Sequence, residues 1–199
     1  MTPATDRMSH EERHEQILRA AVEEIAASGF TGATTAEIAK RAGISQPYVF
    51  RFFPTKKDLA LAVIDRCVSR IIHDWESALP KPGETRLQTL GRTYVESLSG
   101  RRAELMVHLN AYAAADDPDV AAALRHHLAR LYRYVVHLLE RDGRPEAYEE
   151  AGAFLSRGFL INASMAIGLE SVLTSEEWAG ICGKPAVARI EDRLEHDVA

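Results

Sequence analysis

The chain contains 199 residues, of which 46% are hydrophobic and 27% are charged, a balance typical of a globular protein and not of a disordered one. Its formal net charge is -5, which argues against a protein that coats nucleic acid through overall positive charge. The two cysteines, Cys67 and Cys182, lie far apart and lack ligand spacing, which argues against a disulfide framework and a zinc site. We expect two reduced, partly buried thiols, with a redox sensor as the alternative.

The first residues, MTPATDRMSHEE, contain no apolar signal region, and we therefore expect a cytoplasmic protein. They lead into a helix predicted over residues 9–28. Ile17, Ala21 and Ile25 recur at helical spacing on its apolar face, and Gly29 stands where the helix should end.

Two short helices are predicted around a glycine in the sequence TTAEIAKRAGISQPYVFRFFPTKK, which begins at Thr34. Thr34 and Glu37 have the spacing of a reciprocal capping box at a helix N-terminus. Gly43 stands at a sharp turn, and Ser45 is the next candidate N-cap. Pro47 is tolerated because it falls in the first turn of the second helix. This order predicts a helix-turn-helix, a motif that places its second helix in the DNA major groove.

The fourth helix of the chain follows directly, because Pro54 stops the second short helix and Thr55 with Asp58 has the spacing of another capping box. This helix carries Lys56 and Lys57 in its first turn, where positive charge opposes the helix dipole. A phosphate that neutralises both lysines would explain their position. From the first capping box to Asp58 the chain has five basic and two acidic residues, a local charge of +3. We therefore expect a positive face on this segment, although the net charge of the whole chain is negative.

The string T-T-x-x-I-A-x-x-A-G-I-S, followed by an aromatic run and F-P-T-K-K, resembles the TetR family of one-component transcriptional regulators. The match covers about residues 10–65, and beyond them only length and helical layout agree. The resemblance implies a homodimer that binds double-stranded DNA at a palindromic operator, and repression relieved by a small-molecule effector. The alternative is an ordinary helical corner.

Carried over position by position, the resemblance implies base or sugar contacts from the early part of the second short helix and phosphate contacts from its surroundings. Gln46 is suited to bidentate pairing with adenine and Arg51 to bidentate pairing with guanine. Phe50 lacks the phenol usual in the family wording K-G-T-L-Y-H-Y-F, so one phosphate hydrogen bond is not expected. For each residue the alternative is a solvated surface side chain. The residues assigned to DNA are Thr35, Ser45, Gln46, Pro47, Tyr48, Arg51 and Lys56.

The rest of the chain is predicted to be helical, which makes the fold all-α. We expect an N-terminal three-helix helix-turn-helix domain over residues 1–54 and a larger helical domain for ligand binding and dimerisation over residues 55–199. The apolar stretch that contains Arg157 and Asn162 is expected to be a buried helix, because these residues make membrane insertion costly. The later helices are predicted over 56–78, 84–99, 101–115, 118–141, 146–173 and 185–196.

A dimer seam is predicted on the helix over 146–173, where residues recur at seven-residue spacing and small residues allow close approach. A wholly intramolecular core helix is the alternative. The share of the terminal helix in the seam is doubtful because that helix is short. The candidate interface residues are Ala151, Leu155, Gly158, Asn162, Met165 and Leu169.

An effector site is predicted among the middle helices, since an apolar cavity with a few polar side chains is the usual form of a small-molecule site. Core packing is the alternative for most aromatic side chains there. A ligand is expected to displace the fourth helix, which joins the DNA-binding domain through Pro54 and Thr55. The candidate lining residues are Trp75, Tyr94, His108, Tyr112, Tyr132 and Asn162.

No enzyme, metal or cofactor is predicted, because nucleophile-elbow, P-loop, dinucleotide and zinc-protease motifs are absent from the sequence. His126 and His127 are neighbours in sequence and therefore face differently, which makes them poor joint metal ligands. The sequence thus favours a dimeric repressor released by a small molecule. A ligand-insensitive regulator, an activator, and a helical binding or assembly protein that does not read DNA sequence are the alternatives.

Overall fold

The computed structural model describes residues 8–183, which form nine α-helices, one short 3₁₀ turn and no strand, so the predicted all-α class is confirmed. The helix predicted over 185–196 lies outside the described residues. None of the described helices has the length and apolar composition needed to cross a bilayer. The helices are α1 (His10–Gly32), α2 (Thr35–Arg41), α3 (Gln46–Phe50), α4 (Lys56–Glu76), α5 (Arg86–Ser99), α6 (Arg102–Ala113), α7 (Pro118–Arg141), α8 (Ala147–Ile167) and α9 (Ser175–Cys182).

The turn between α2 and α3 forms as the sequence predicts. Gly43 has a φ of +64°, a region that glycine enters without the steric cost of a Cβ. The Thr34 hydroxyl caps α2 by accepting from the N–H of Glu37 at 3.2 Å. The Glu37 carboxylate does not complete the predicted box, because it bonds to the Lys40 ammonium at 3.3 Å instead. In contrast, the box of Thr55 and Asp58 at the start of α4 is reciprocal.

One apolar core holds the helix-turn-helix together. Val49 of α3 and Phe53 just after it are buried against Ile17 of α1 and Ile38 of α2. Leu59 and further residues of the first half of α4 belong to the same core. The division between residues 54 and 55 stays a prediction, but these contacts show that the start of α4 packs as part of the N-terminal unit.

A cluster of charged side chains joins α1, α4 and α6 beside this core. The buried Arg66 guanidinium contacts the Glu15 carboxylate at 2.6 Å and the Glu104 carboxylate at 3.1 Å. Arg70 also contacts Glu104 at 3.1 Å. The hydrogen bond from Arg66 lowers the pKa of Glu15, so this carboxylate favours its charged form, and Glu104 accepts a hydrogen bond from the same guanidinium. Because removal of one partner leaves a buried charge unpaired, the cluster fixes α6 against the N-terminal unit.

The later helices form a second layer, in which α7 and α8 pack against α4 and α5. The single helix predicted over 146–173 is wrong at its C-terminal end. Gly168 has a φ of +71° and ends α8 at Ile167, and Leu169–Ser171 form a 3₁₀ turn. A further helix, α9, begins after Thr174. Its capping box with Glu177 is a sequence signal for this helix that the sequence interpretation did not use.

The two thiols give a first testable prediction. Cys67 and Cys182 are both free and buried, and burial raises the pKa of each thiol to about 12. The reactive thiolate is therefore scarce at mildly alkaline pH. We expect the native protein to react slowly with the chromogenic disulfide DTNB and both thiols to react at once after unfolding in guanidinium. Fast reaction of a native thiol would contradict this burial and support a redox role.

Candidate DNA-binding interface and ligand cavity

The exposed face of α3 follows from the burial of its opposite face. Val49 is fully buried, so Gln46 and Pro47 in the first turn point to the surface and are exposed. Arg51, the C-cap of α3, is exposed as well, and the Tyr48 ring is half-buried beside it. The helix-turn-helix thus presents the residues that a major groove would meet first.

Gln46 is held in place by Thr35 at the start of α2. Its Nε2 donates to the Thr35 hydroxyl at 2.8 Å, while its side-chain oxygen and second N–H remain available for a base edge. The Thr35 side chain is buried beneath this bond, which restricts its predicted contact with phosphate. Ser45 is the N-cap of α3, but its hydroxyl makes no capping bond, and the residue is exposed.

Two guanidinium groups lie against the Tyr48 ring. The Arg51 Cζ lies 5.4 Å and the Arg13 Cζ 6.0 Å from the ring centroid, within the range of cation–π attraction. The Tyr48 ring also meets Phe52 edge-on at 5.5 Å. Arg13 belongs to α1 and was not among the predicted DNA residues, since no sequence spacing links α1 to α3. Its placement extends the positive face from α3 onto α1.

Most of the basic residues of the motif are neutralised within the chain. Lys40 pairs with Glu37, and Arg41 pairs with Glu24. The prediction that a phosphate neutralises Lys57 is not supported, because the Lys57 ammonium contacts two carboxylates at the start of α7. These are Asp119 at 2.8 Å and Asp117 at 2.9 Å.

Lys57 is paired with carboxylates, whereas the neighbouring Lys56 is not. The hydrogen bonds that the Lys57 ammonium donates to Asp119 and then to Asp117 raise the pKa of Lys57, so its charge is paired within the chain. The Lys56 ammonium donates only to the backbone carbonyl of Thr31, at 2.9 Å. Among residues 8–183 neither Lys56 nor Arg51 forms an ion pair with a carboxylate. These two residues therefore supply the positive charge that a phosphate or a guanine edge can meet.

A cavity of about 320 Å³ lies between α4, α5, α6, α7 and α8. Five of the six predicted ligand residues line it: Trp75, Tyr94, His108, Tyr112 and Asn162. Tyr132 does not, and we correct this prediction. The Tyr132 ring lies on the other side of α7, where its hydroxyl donates to the backbone carbonyl of Tyr148 at 3.1 Å. Sequence order could not distinguish the two faces of α7.

Tyr94, Asn162 and His108 give the cavity uncharged polar groups. The Tyr94 hydroxyl donates to Asn162 Oδ1 at 2.7 Å, and burial raises the pKa of Tyr94 to about 12. Burial, followed by the charge of His127, lowers the pKa of His108 to about 4, so its imidazole is neutral at physiological pH. Within residues 8–183 no group of three His, Cys, Asp or Glu side chains is arranged to hold a metal ion.

The predicted dimer stripe of α8 faces the interior of this chain. Ala151 is fully buried, and Asn162 bonds to Tyr94. Leu155 and Gly158 line the cavity, so the intramolecular alternative describes these four residues. Met165 packs in part against a core formed with α9 and α5, and Leu169 lies beyond the end of α8.

The opposite face of α8 is the one left exposed. Leu160 and Ile167 are 52% and 78% exposed, and Ala163 between them is exposed too. These residues lie at the spacing of one helix face. Heptad spacing alone does not distinguish the two faces, because α8 is apolar on most of its circumference and the hydrophobic period is left without a direction.

A tight glycine turn, a short helix with one buried side and an exposed basic face define a DNA-binding helix-turn-helix protein, and the helices behind it enclose a cavity. The family model described as bacterial regulatory proteins, tetR family, matches residues 17–63. The HTH-type transcriptional activator FasR of Mycolicibacterium smegmatis is 30% identical over 148 residues. These residues are 72% of this chain and 66% of that protein, so the match leaves about a third of the relative uncovered.

Solved structures agree on the fold across most of the chain. A TetR-like transcriptional regulator from Rhodococcus sp. RHA1 is 24% identical with a TM-score of 0.65, and the match covers 89% of this chain and 100% of the other. A second transcriptional regulator from the same source is 22% identical with a TM-score of 0.71, covering 87% and 93%. The chain belongs to the TetR family of bacterial regulatory proteins, whose members are DNA-binding regulators and not enzymes.

The separate roles of Arg51 and Lys56 are testable by substitution. Arg51→Ala should weaken binding to a specific site by about 1–3 kcal/mol, because a bidentate contact to guanine discriminates by that amount, and should weaken binding to random DNA much less. Lys56→Ala is the matched control. It removes a phosphate contact, so it should weaken both kinds of DNA equally and lower the salt slope by about one. Equal losses on both DNAs for Arg51→Ala would remove its base-reading role.

Proposed function

We propose that this protein is a sequence-specific, dimeric transcriptional repressor that a small molecule releases from its operator in the bacterial cytoplasm. The observation that carries the proposal is the exposed α3, on which Gln46 is positioned by Thr35 and Arg51 has no carboxylate partner among the described residues. Side chains that hydrogen-bond base edges and stand outside the protein's own ion pairs are suited to direct readout. Membership of the TetR family supports the same function.

A dimer is part of the proposal because one helix-turn-helix covers few base pairs. Two copies related by a two-fold axis would read two half-sites centred about one helical turn apart, or a multiple of it. The exposed face of α8 that contains Leu160, Ala163 and Ile167 offers apolar area for the second copy. We place the dimer seam on this face.

The cavity is placed to influence the N-terminal unit through two helices. α4 lines the cavity with Trp75 and contributes Leu59 to the core of the helix-turn-helix. α6 lines it with His108, and two residues later the Asn110 amide donates to the backbone carbonyl of Ile25 in α1 at 2.9 Å. A ligand that shifts either helix would change the angle between the paired α3 helices. A coupling of about 1–3 kcal/mol alters operator occupancy severalfold to a hundredfold.

Activation is the second candidate for the direction of regulation, because the relative from Mycolicibacterium smegmatis is named a transcriptional activator. Repression and activation use the same α3 and the same dimer. They differ in where the operator lies relative to the promoter, and reporter expression with and without the protein distinguishes them.

Substitution of Leu160 tests the dimer seam. Leu160→Glu places a charge in the proposed apolar interface, where its desolvation is costly, so we expect a monomer mass in light scattering and weaker operator binding. Leu79→Glu is the matched control, because Leu79 is 82% exposed on the connection between α4 and α5, and it should leave the dimer mass unchanged. A dimer that persists in Leu160→Glu would place the seam elsewhere.

Selection of bound fragments from a random-sequence DNA pool tests the function itself. The full-length protein should enrich an inverted repeat, with half-sites centred about 10 base pairs apart or at a multiple of that distance. The preference should persist at physiological salt, where binding to the phosphate backbone alone weakens steeply. Enrichment of no motif would support the helical binding or assembly protein instead of the regulator.

A further inference from the structure

Of the three charged side chains that line the cavity, Arg92 and Glu150 are already paired, and Arg157 is exposed to solvent. The buried Arg92 guanidinium contacts Glu84 at 2.8 Å and Glu96 at 3.3 Å, and it also donates to the backbone carbonyl of Leu79. The hydrogen bonds that Glu84 accepts, first from Arg92 and then from the backbone N–H of Lys81, lower its pKa to about 2. An acidic ligand would have to break this cluster to obtain Arg92 as a partner. At the wall formed by α8, Glu150 is likewise bonded to Arg144 at 2.9 Å.

The polar groups that remain are neutral and can hydrogen-bond. The His108 side chain faces the cavity, and no hydrogen bond to another described residue satisfies its ring nitrogens. A neutral imidazole offers one donor and one acceptor. The Asn162 side chain accepts from the Tyr94 hydroxyl through Oδ1, so its Nδ2 group remains the donor that a ligand acceptor could use.

The remaining wall is apolar and largely aromatic. Trp75 and Phe154 pack with their ring centroids 5.8 Å apart, and Tyr112 meets Phe159 edge-on at 5.1 Å. The Trp75 indole N–H donates to the backbone carbonyl of Leu90, so this ring offers the ligand only its apolar surface. Such a wall favours a ligand whose main part is apolar and uncharged.

We propose that the effector is an uncharged, mainly hydrocarbon molecule whose single polar group is a hydroxyl or carbonyl bound by His108 and Asn162. An ionised carboxylate bound by His108 and Asn162 would be desolvated without a counterion, since the buried Arg92 is held by Glu84 and Glu96. This inference rests on the proposed function and names the chemical class of its ligand. We therefore expect neutral alcohols, ketones and esters to bind more tightly than the corresponding ionised acids.

Two probes with the same carbon skeleton test the class. We would titrate the full-length protein with 4-phenylbutan-1-ol and with 4-phenylbutanoate by calorimetry at mildly alkaline pH, where the acid is ionised. The alcohol should bind at least about tenfold more tightly, because only the acid carries a buried charge. Trp75 lines the cavity, so a change in its fluorescence should accompany the binding of the alcohol.

His108→Phe tests the proposed polar contact. The affinity for 4-phenylbutan-1-ol should fall about threefold to tenfold, which is the effect of one lost hydrogen bond. The affinity for butylbenzene, which has no polar group, should not change. The matched control is His137→Phe, because His137 is exposed on α7 outside this cavity and should have no effect on either probe.

Arg157 is the residue through which an acid could bind more tightly than the alcohol, which is the result that would contradict the proposal. It lines the rim, is exposed and forms no ion pair among the described residues, so an outward-facing acid would bind there. Tighter binding of 4-phenylbutanoate that is lost in Arg157→Ala would overturn the proposal, as would binding of neither probe at millimolar concentration. These outcomes leave DNA binding intact, whereas failure to enrich a DNA motif leaves the ligand preference intact, so the two proposals fail separately.

Discussion

The burial of Val49 and Phe53 in the core shared with α1, α2 and α4 is the constraint on which the rest of the structure depends. α3 has only five residues, and a helix of that length has little stability of its own. Its position is therefore fixed by packing, and the exposed direction of Gln46 and Arg51 is a consequence of what is buried on the other side. The Gly43 turn supplies the chain reversal that brings this side onto the core.

The same core explains how events in the cavity can reach the DNA-binding face. α4 contributes Leu59 to the core and Trp75 to the cavity, so one continuous helix spans both. α6 is tied to α1 and α4 by the charged cluster around Glu104 and by the amide of Asn110. A displacement of α6 cannot be absorbed locally without separating buried charges, which is costly. In the proposed switch, rotation of the N-terminal unit relative to the second layer would be the less costly response, and it would change the spacing of the paired α3 helices.

Local signals predicted the N-terminal half well because its structure is set by short-range chemistry. Gly43, Pro47 and the Thr55 capping box act within a few residues, and the structure has each in the predicted role. The failures arise where a side chain is contacted by a residue far away in the sequence. Lys57 is neutralised by α7 instead of being left for phosphate, and Arg13 reaches Tyr48 from α1. In α8 the apolar residues surround the helix, so periodicity could not say which face turns inward.

Guanine N7 methylation interference on a DNA site selected by the full-length protein tests the central claim, that α3 is a rigid probe of the major groove. N7 lies in that groove, and Arg51 is the residue suited to contact it. We predict that methylation blocks binding at two clusters of guanines, one in each half-site and about 10 base pairs apart or at a multiple of that distance. The interference should disappear in Arg51→Ala. Binding that is indifferent to major-groove methylation throughout the site would contradict the account.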